Sequence, residues 1–123
     1  MKDLNEIYQR NQVLTAKPEE LTLMLYNGGA KNLHQAIRAI ENKEPAKAHS
    51  LIMKTQDILT ELMVTLNMDY EVSESLYSLY EYMKQRLIEA NIGKDAEMIK
   101  EIEGMFRELK ATWAEAAKSI KAN

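Results

Sequence analysis

Residues 8–28 read YQRNQVLTAKPEELTLMLYNG, and the second half of that stretch decides the fold. Pro18 suits the first position of a helix, where a missing amide proton costs nothing and the ring presets φ. Glu19 and Glu20 then set carboxylates against the positive end of the helix dipole. From there Leu23, Tyr26, Ala30, Leu33, Ile37 and Ile40 recur at spacings of three and four, so all share one face. The pattern predicts a long amphipathic helix starting at Pro18.

The same signals recur downstream. Pro45, after the charged run Glu41 to Glu44, opens a second stripe of Ala48, Leu51, Ile52, Thr55, Ile58, Leu59, Leu62 and Leu66, ending around Asn67. A short polar link, Met68 to Ser73, leads to a third stripe of Leu76, Leu79, Tyr80, Met83, Leu87 and Ala90, which Asn91 and Gly93 are expected to stop. Asp95 is placed to cap a fourth helix bearing Met98, Ile99, Ile102, Met105, Phe106, Leu109, Trp113, Ala116 and Ile120, with Glu97 early and Lys118 and Lys121 late. Amphipathic helices joined by short links pack beside their sequential neighbours. The expected fold is therefore all-α, an antiparallel up-down four-helix bundle. Residues 18–123 form it, and residues 1–17, with Leu4, Ile7, Tyr8, Val13 and Leu14, form a short helix or arm packed on it.

Composition agrees and excludes several functions. The chain has 123 residues, enough for one core and too few for two ordinary domains. With 8 Met but only 4 Gly and 2 Pro, its vocabulary is helix-forming. Cysteine is absent, which removes disulfides and thiolate ligands and fits a reducing cytosol. No stretch approaches the roughly 20 apolar residues of a membrane span, and the N-terminus lacks a signal-peptide core. Net charge is −3 with both signs interspersed, so nucleic acid is not an expected partner. His34 and His49 have Lys31 and Ala46 three residues before them, so the Glu-x-x-His pairs of di-iron bundles are missing. No glycine-rich phosphate loop or nucleophile signature is present. The chain reads as neither an enzyme nor a metal or cofactor protein. One alternative is a phosphotransfer bundle carrying phosphate on His34, although no Lys-Gly pair follows that residue. Another is a self-associating structural bundle.

Each helix has apolar residues left over. Leu21, Met24 and Leu25 widen the first stripe, Met63 the second, and Tyr77 and Ile88 the third. A wide stripe first of all lets a helix touch both bundle neighbours, and a groove for an amphipathic partner helix is the second reading; flexible methionines serve both uses. Tyr77, Tyr80 and Tyr82 cannot all face the core, so at least one lies at an edge. Tyr8 sits outside the main stripes, which favours a contact or lid role. Asn11 and Asn27 suit backbone capping, and Trp113 suits the core.

These residues also carry a family resemblance. Tyr8, Asn11, Thr15, Ala16, Pro18, Glu19, Leu21, Leu25, Tyr26, Asn27 and Gly28 match the aromatic-led opening and first helix of the FliS flagellar secretion chaperones. Leu76 to Ile92, LYSLYEYMKQRLIEANI, resembles their third helix, and Trp113–Ala114 stands where a late tryptophan is expected. Lys17 replaces the usual capping Ser, Asn32 replaces an apolar or aromatic residue, and Gly29 beside Gly28 weakens the helix by about 1 kcal/mol relative to Ala. The resemblance implies a cytosolic, non-catalytic chaperone. Its implied partner is the disordered C-terminal segment of flagellin, bound one to one in a helix groove, with the flagellar export gate as a further candidate. The free protein is expected as a monomer or weak dimer. The candidate client-binding and lid residues are Ile7, Tyr8, Asn11, Leu14, Leu21, Met24, Leu25, Met63, Tyr77, Tyr80, Leu87 and Ile88.

Overall fold

A computed structural model of the chain describes residues 18–122, with side chains for residues 19–116. The expected arm over residues 1–17, including Ile7, Tyr8, Asn11 and Leu14, lies outside the described residues, as do the side chains of Lys118, Ile120 and Lys121. The described chain forms helices α1 (Pro18–Glu41), α2 (Pro45–Val64), α3 (Val72–Gly93) and α4 (Ala96–Ala122). Both prolines stand at the helix starts where their fixed φ placed them.

Sequential helices pack antiparallel and α4 closes the ring on α1, with the α3–α4 contact the slightest of these. Cross-links fix the direction. Trp113 Nε1 near the end of α4 donates to Glu19 O at the start of α1 (2.9 Å), and Lys84 Nζ of α3 donates to Thr60 Oγ1 of α2 (2.9 Å). The predicted stripes form the core, where Tyr26, Leu33, Ile52, Leu59, Met83, Leu87, Ile99, Ile102 and Phe106 are buried. Thr55 is buried too, and its hydroxyl donates to Leu51 O within the helix (2.8 Å). Ala116 departs from its stripe and is exposed. Trp113 already reaches the first turn of α1, so α4 beyond it outruns the described part of its neighbour.

The helix ends differ from expectation in an instructive way. Gly93 remains helical, and the left-handed residue that stops α3 is Lys94 (φ 51°). Its ammonium donates to Asn91 O (2.7 Å) and Asn91 Oδ1 (2.8 Å), supplying partners that a glycine cannot. Lys43 (φ 58°) ends α1 the same way, with Glu44 N–H reaching back to Ala39 O (2.8 Å) and Lys43 N–H to Ile40 O (3.0 Å). Asp95 caps α4 as expected, its Oδ1 accepting from the amides of Glu97 (3.1 Å) and Met98 (3.2 Å).

An L-residue in the left-handed region costs about 1 kcal/mol or more, and glycine removes that strain while adding unfolded-state entropy. Lys43 is exposed with no side-chain partner among the described residues, so Lys43→Gly is expected to stabilise by about 0.5 kcal/mol in urea titration. Lys94→Gly should gain less, because it deletes two hydrogen bonds. Equal gains at both positions would contradict the role given to the Lys94 ammonium.

Candidate functional site

Among the described residues, the large apolar side chains that remain exposed are Met53, Val64, Met68, Tyr70, Val72, Tyr77, Tyr82, Ile88 and Ile92. All of them fall on α2, on α3 or on the link between the two; α1 and α4 contribute none among the described residues. Met53, Ile88 and Ile92 among them gather on the α2–α3 face, whereas Tyr82 stands at the α3–α4 seam; an apolar cluster of the first kind is a candidate contact site.

The face has two hollows. One, of about 330 Å³, lies between α2 and α3 and is lined by His49, Met53, Gln56, Ile88, Asn91, Ile92 and Lys94. Asn91 Nδ2 and His49 Nδ1 meet across it at 3.0 Å. Ile88 is 38% exposed and Ile92, one turn on, 84%, so successive turns present apolar anchors at the rim. The other, of about 270 Å³, lies where α2 hands over to α3, lined by Leu62, Leu66, Tyr70, Leu76, Tyr80 and Trp113 among others. Asn67 organises that link: its side-chain oxygen accepts from Asp69 N–H (3.0 Å) and its carbonyl from Ser73 Oγ (2.5 Å). The link thus closes its own turn through Asn67 and Ser73, leaves the Asp69 and Glu71 side chains exposed, and also leaves Met68, Tyr70 and Val72 outward.

The second hollow rests on an aromatic cluster. Tyr26 and Tyr80 share a hydrogen bond between their hydroxyls (2.5 Å), and Trp113 stands edge-on to Tyr26 at 6.3 Å. Trp113 is only half-buried, so it forms the edge of the core and part of the hollow's wall. Burial raises the pKa of both phenols above the usual tyrosine range; for Tyr80 the hydrogen bond to Tyr26 adds to the rise. Across the α3–α4 seam Tyr82 donates to Glu101 (2.6 Å), joined by Arg86 (3.0 Å). The Tyr82 bond, then the Arg86 bond, hold the Glu101 carboxyl below its usual range.

The raised phenols have a pH consequence. A folded-state pKa above the unfolded value gives stability that is full below pH ~10 and lost as pH rises past it. The loss steepens by up to about 1.4 kcal/mol per pH unit for each phenol that ionises only when unfolded. Denaturant titrations between pH 8 and pH 11 are expected to show a steeper alkaline loss in the native sequence than in the Tyr26→Phe/Tyr80→Phe variant. Parallel curves would contradict the placement of both phenols in the core.

The residues singled out in the sequence divide into groups. Tyr77 (37% exposed) and Ile88 lie on the exposed face. Leu21 and Met24 are half-buried on α1, while Leu25 and Met63 are half-buried and packed against the core. Tyr80 and Leu87, at 1% and 0% exposure, are core residues here, with Tyr80 also lining the second hollow. Met53, Ile92 and the link residues were missed. The signal for Ile92 was its place one turn after Ile88; the signal for Met53 was its apolar character one position outside the second stripe. Among the described residues no cluster of His, Asp and Glu could hold a metal, and no helix is long and apolar enough to cross a membrane.

The family model for Flagellar protein FliS matches residues 1–120. The chain is 44% identical over 112 residues to the flagellar secretion chaperone FliS of Bacillus subtilis (strain 168), covering 91% of this chain and 84% of that protein. It is 33% identical over 115 residues to the flagellar secretion chaperone FliSB of Pseudomonas aeruginosa, covering 92% and 91%. A solved structure titled as a flagellar chaperone from bacteria shares the fold with a TM-score of 0.79 at 18% identity, over 93% of this chain and 97% of that one. This four-helix chain, matched by the family model along nearly its whole length, belongs to the FliS family of flagellar secretion chaperones.

Proposed function

We propose that this chain is a cytosolic export chaperone that binds the C-terminal segment of flagellin one to one on the α2–α3 face. The observation that carries the reading is that, among the described residues, the exposed large apolar side chains fall within positions 53–92. A disordered amphipathic segment offers apolar anchors at i, i+3 and i+4 spacing. Ile88, Ile92, Tyr77 and Met53 offer the matching surface, and burial offsets the ordering entropy the client loses. Capture hides the surface through which flagellin polymerises and keeps the segment unfolded enough for handover to the export gate. Residues 1–17, with Ile7, Tyr8, Asn11 and Leu14, act as a cover that the client displaces. No catalytic step is required.

Calorimetric titration of the full chain with a synthetic C-terminal flagellin segment tests the reading, after light scattering has fixed the chaperone's mass. Saturable one-to-one binding with a negative heat-capacity change supports it. A folded chain that does not bind, and that scatters as a stable dimer, would instead assign the apolar face to self-association.

A further inference from the structure

On the opposite seam of the ring the bundle presents a different surface. Asn27 of α1 accepts from Lys110 Nζ of α4 at 2.9 Å, and two turns along α1, His34 Nδ1 stands 3.6 Å from Glu103 Oε1. Between these rows is a hollow of about 300 Å³ lined by Asn27, Ala30, Lys31, His34, Arg107 and Lys110. Its lining holds Lys31, Arg107 and Lys110, an imidazole and no carboxylate. Glu103, 9% exposed, lies beside it and engages Arg107 Nη2 at 2.7 Å. Arg38 continues the α1 row one turn past His34. The Lys31 and Arg38 side chains are exposed and have no polar partner among the described residues.

This concentration of positive charge is local, since the chain as a whole carries a net charge of −3. Elsewhere on α3 and α4, Lys100 pairs with Glu97 (3.2 Å) and Arg86 with Glu101 (3.0 Å), while Lys84 donates to the Thr60 hydroxyl (2.9 Å). We propose that the α1–α4 hollow is a docking site for a short acidic segment of a partner protein, whose carboxylates engage Lys31, Lys110 and the outer N–H groups of Arg107. Charge complementarity selects the chemistry, and the flanks select its length. Glu20 stands on the Lys31 face of α1 three turns before it, at helical spacing, and Glu41 ends the helix ten residues after Lys31. A continuous phosphate backbone running along the seam would meet those carboxylates and Glu103. A segment with two or three acidic residues meets the cations alone. Because this seam is opposite the α2–α3 face, both surfaces can be occupied at once, and the site does not depend on the client reading.

The test is a titration of the full ¹⁵N-labelled chain with hexaglutamate at low ionic strength, followed by amide chemical shifts. Shifts are expected to cluster around residues 27–38 and 103–110 and to persist in the Ile88→Asp/Ile92→Asp variant. Lys31→Glu/Lys110→Glu should weaken the peptide about tenfold, since each exposed pair turns from attraction to repulsion. Lys31→Gln, an exposed single change, should weaken it by a smaller factor and serves if the double variant unfolds. Shifts scattered over all lysines, or unchanged affinity in a folded charge-reversed variant, would overturn the site. Tighter binding of a single-stranded oligonucleotide or of inorganic phosphate to the same amides would overturn the assignment to a protein partner.

Discussion

Phe106→Ala is expected to cost about 3–5 kcal/mol of folding stability, a large share of what a domain of this size holds. The ring is fully buried, and it lies directly on the backbone of α1 at Gly29. A Cβ added there would come within 2.6 Å of two of its atoms. Gly29 is therefore the vacancy into which α4 locks, and two substitutions distinguish it from its neighbour. Gly28→Ala meets only Ile58 Cδ1, at an ordinary 3.5 Å, and should stabilise by about 1 kcal/mol through helix propensity. Gly29→Ala has the same propensity gain but forces the ring to shift, and overpacking costs about 1–3 kcal/mol, so it should be neutral to destabilising. In the Phe106→Ala background the clash disappears and Gly29→Ala should become stabilising. Urea unfolding of these variants reads the cycle directly; identical effects of alanine at 28 and 29 would contradict the packing.

The Ile88→Asp/Ile92→Asp variant is expected to lose client affinity by about a hundredfold or more while remaining folded. Each isoleucine can bury enough apolar surface against a partner to supply about 1.5–3 kcal/mol, and each aspartate adds a carboxylate that must be desolvated. The cost in stability should come mainly from Ile88, which is 38% exposed, because Ile92 projects almost wholly into water and changes at such surface positions usually stay within about 0.5 kcal/mol. Ala111→Asp, on the exposed outer surface of α4, is the matched control and should leave affinity unchanged. If the double variant binds normally, the client lies elsewhere.

Much of the fold was legible because its signals are local. Pro18 and Pro45 open helices by their own geometry, Asp95 caps through its own side chain, and spacings of three and four placed the buried stripes. The helix ends were not legible. Lys43 and Lys94 have no intrinsic preference for the left-handed region, and Gly93 carried the expected signal without using it. The paired glycines read as a weakness because the ring that requires Gly29 lies 77 residues away in sequence. At the site, Tyr77 and Tyr80 are three residues apart on one side of α3, and periodicity alone cannot say which of them meets Tyr26. Only the neighbouring helices decide that Tyr80 is buried and Tyr77 is not. The exposed apolar residues of the link were obscured because Asn67, Asp69 and Ser73 suggested only a solvated loop, whereas Asn67 and Ser73 close a turn that leaves Met68, Tyr70 and Val72 outward.

The most direct measurement is hydrogen exchange on the full chain with and without the C-terminal flagellin segment. New protection on α2 and α3, around Met53, Tyr77, Ile88 and Ile92 and saturating at one client per chain, is the expected result. Saturable binding that protects α1 and α4 and leaves residues 53–92 unchanged would contradict the placement of the client on the exposed apolar face.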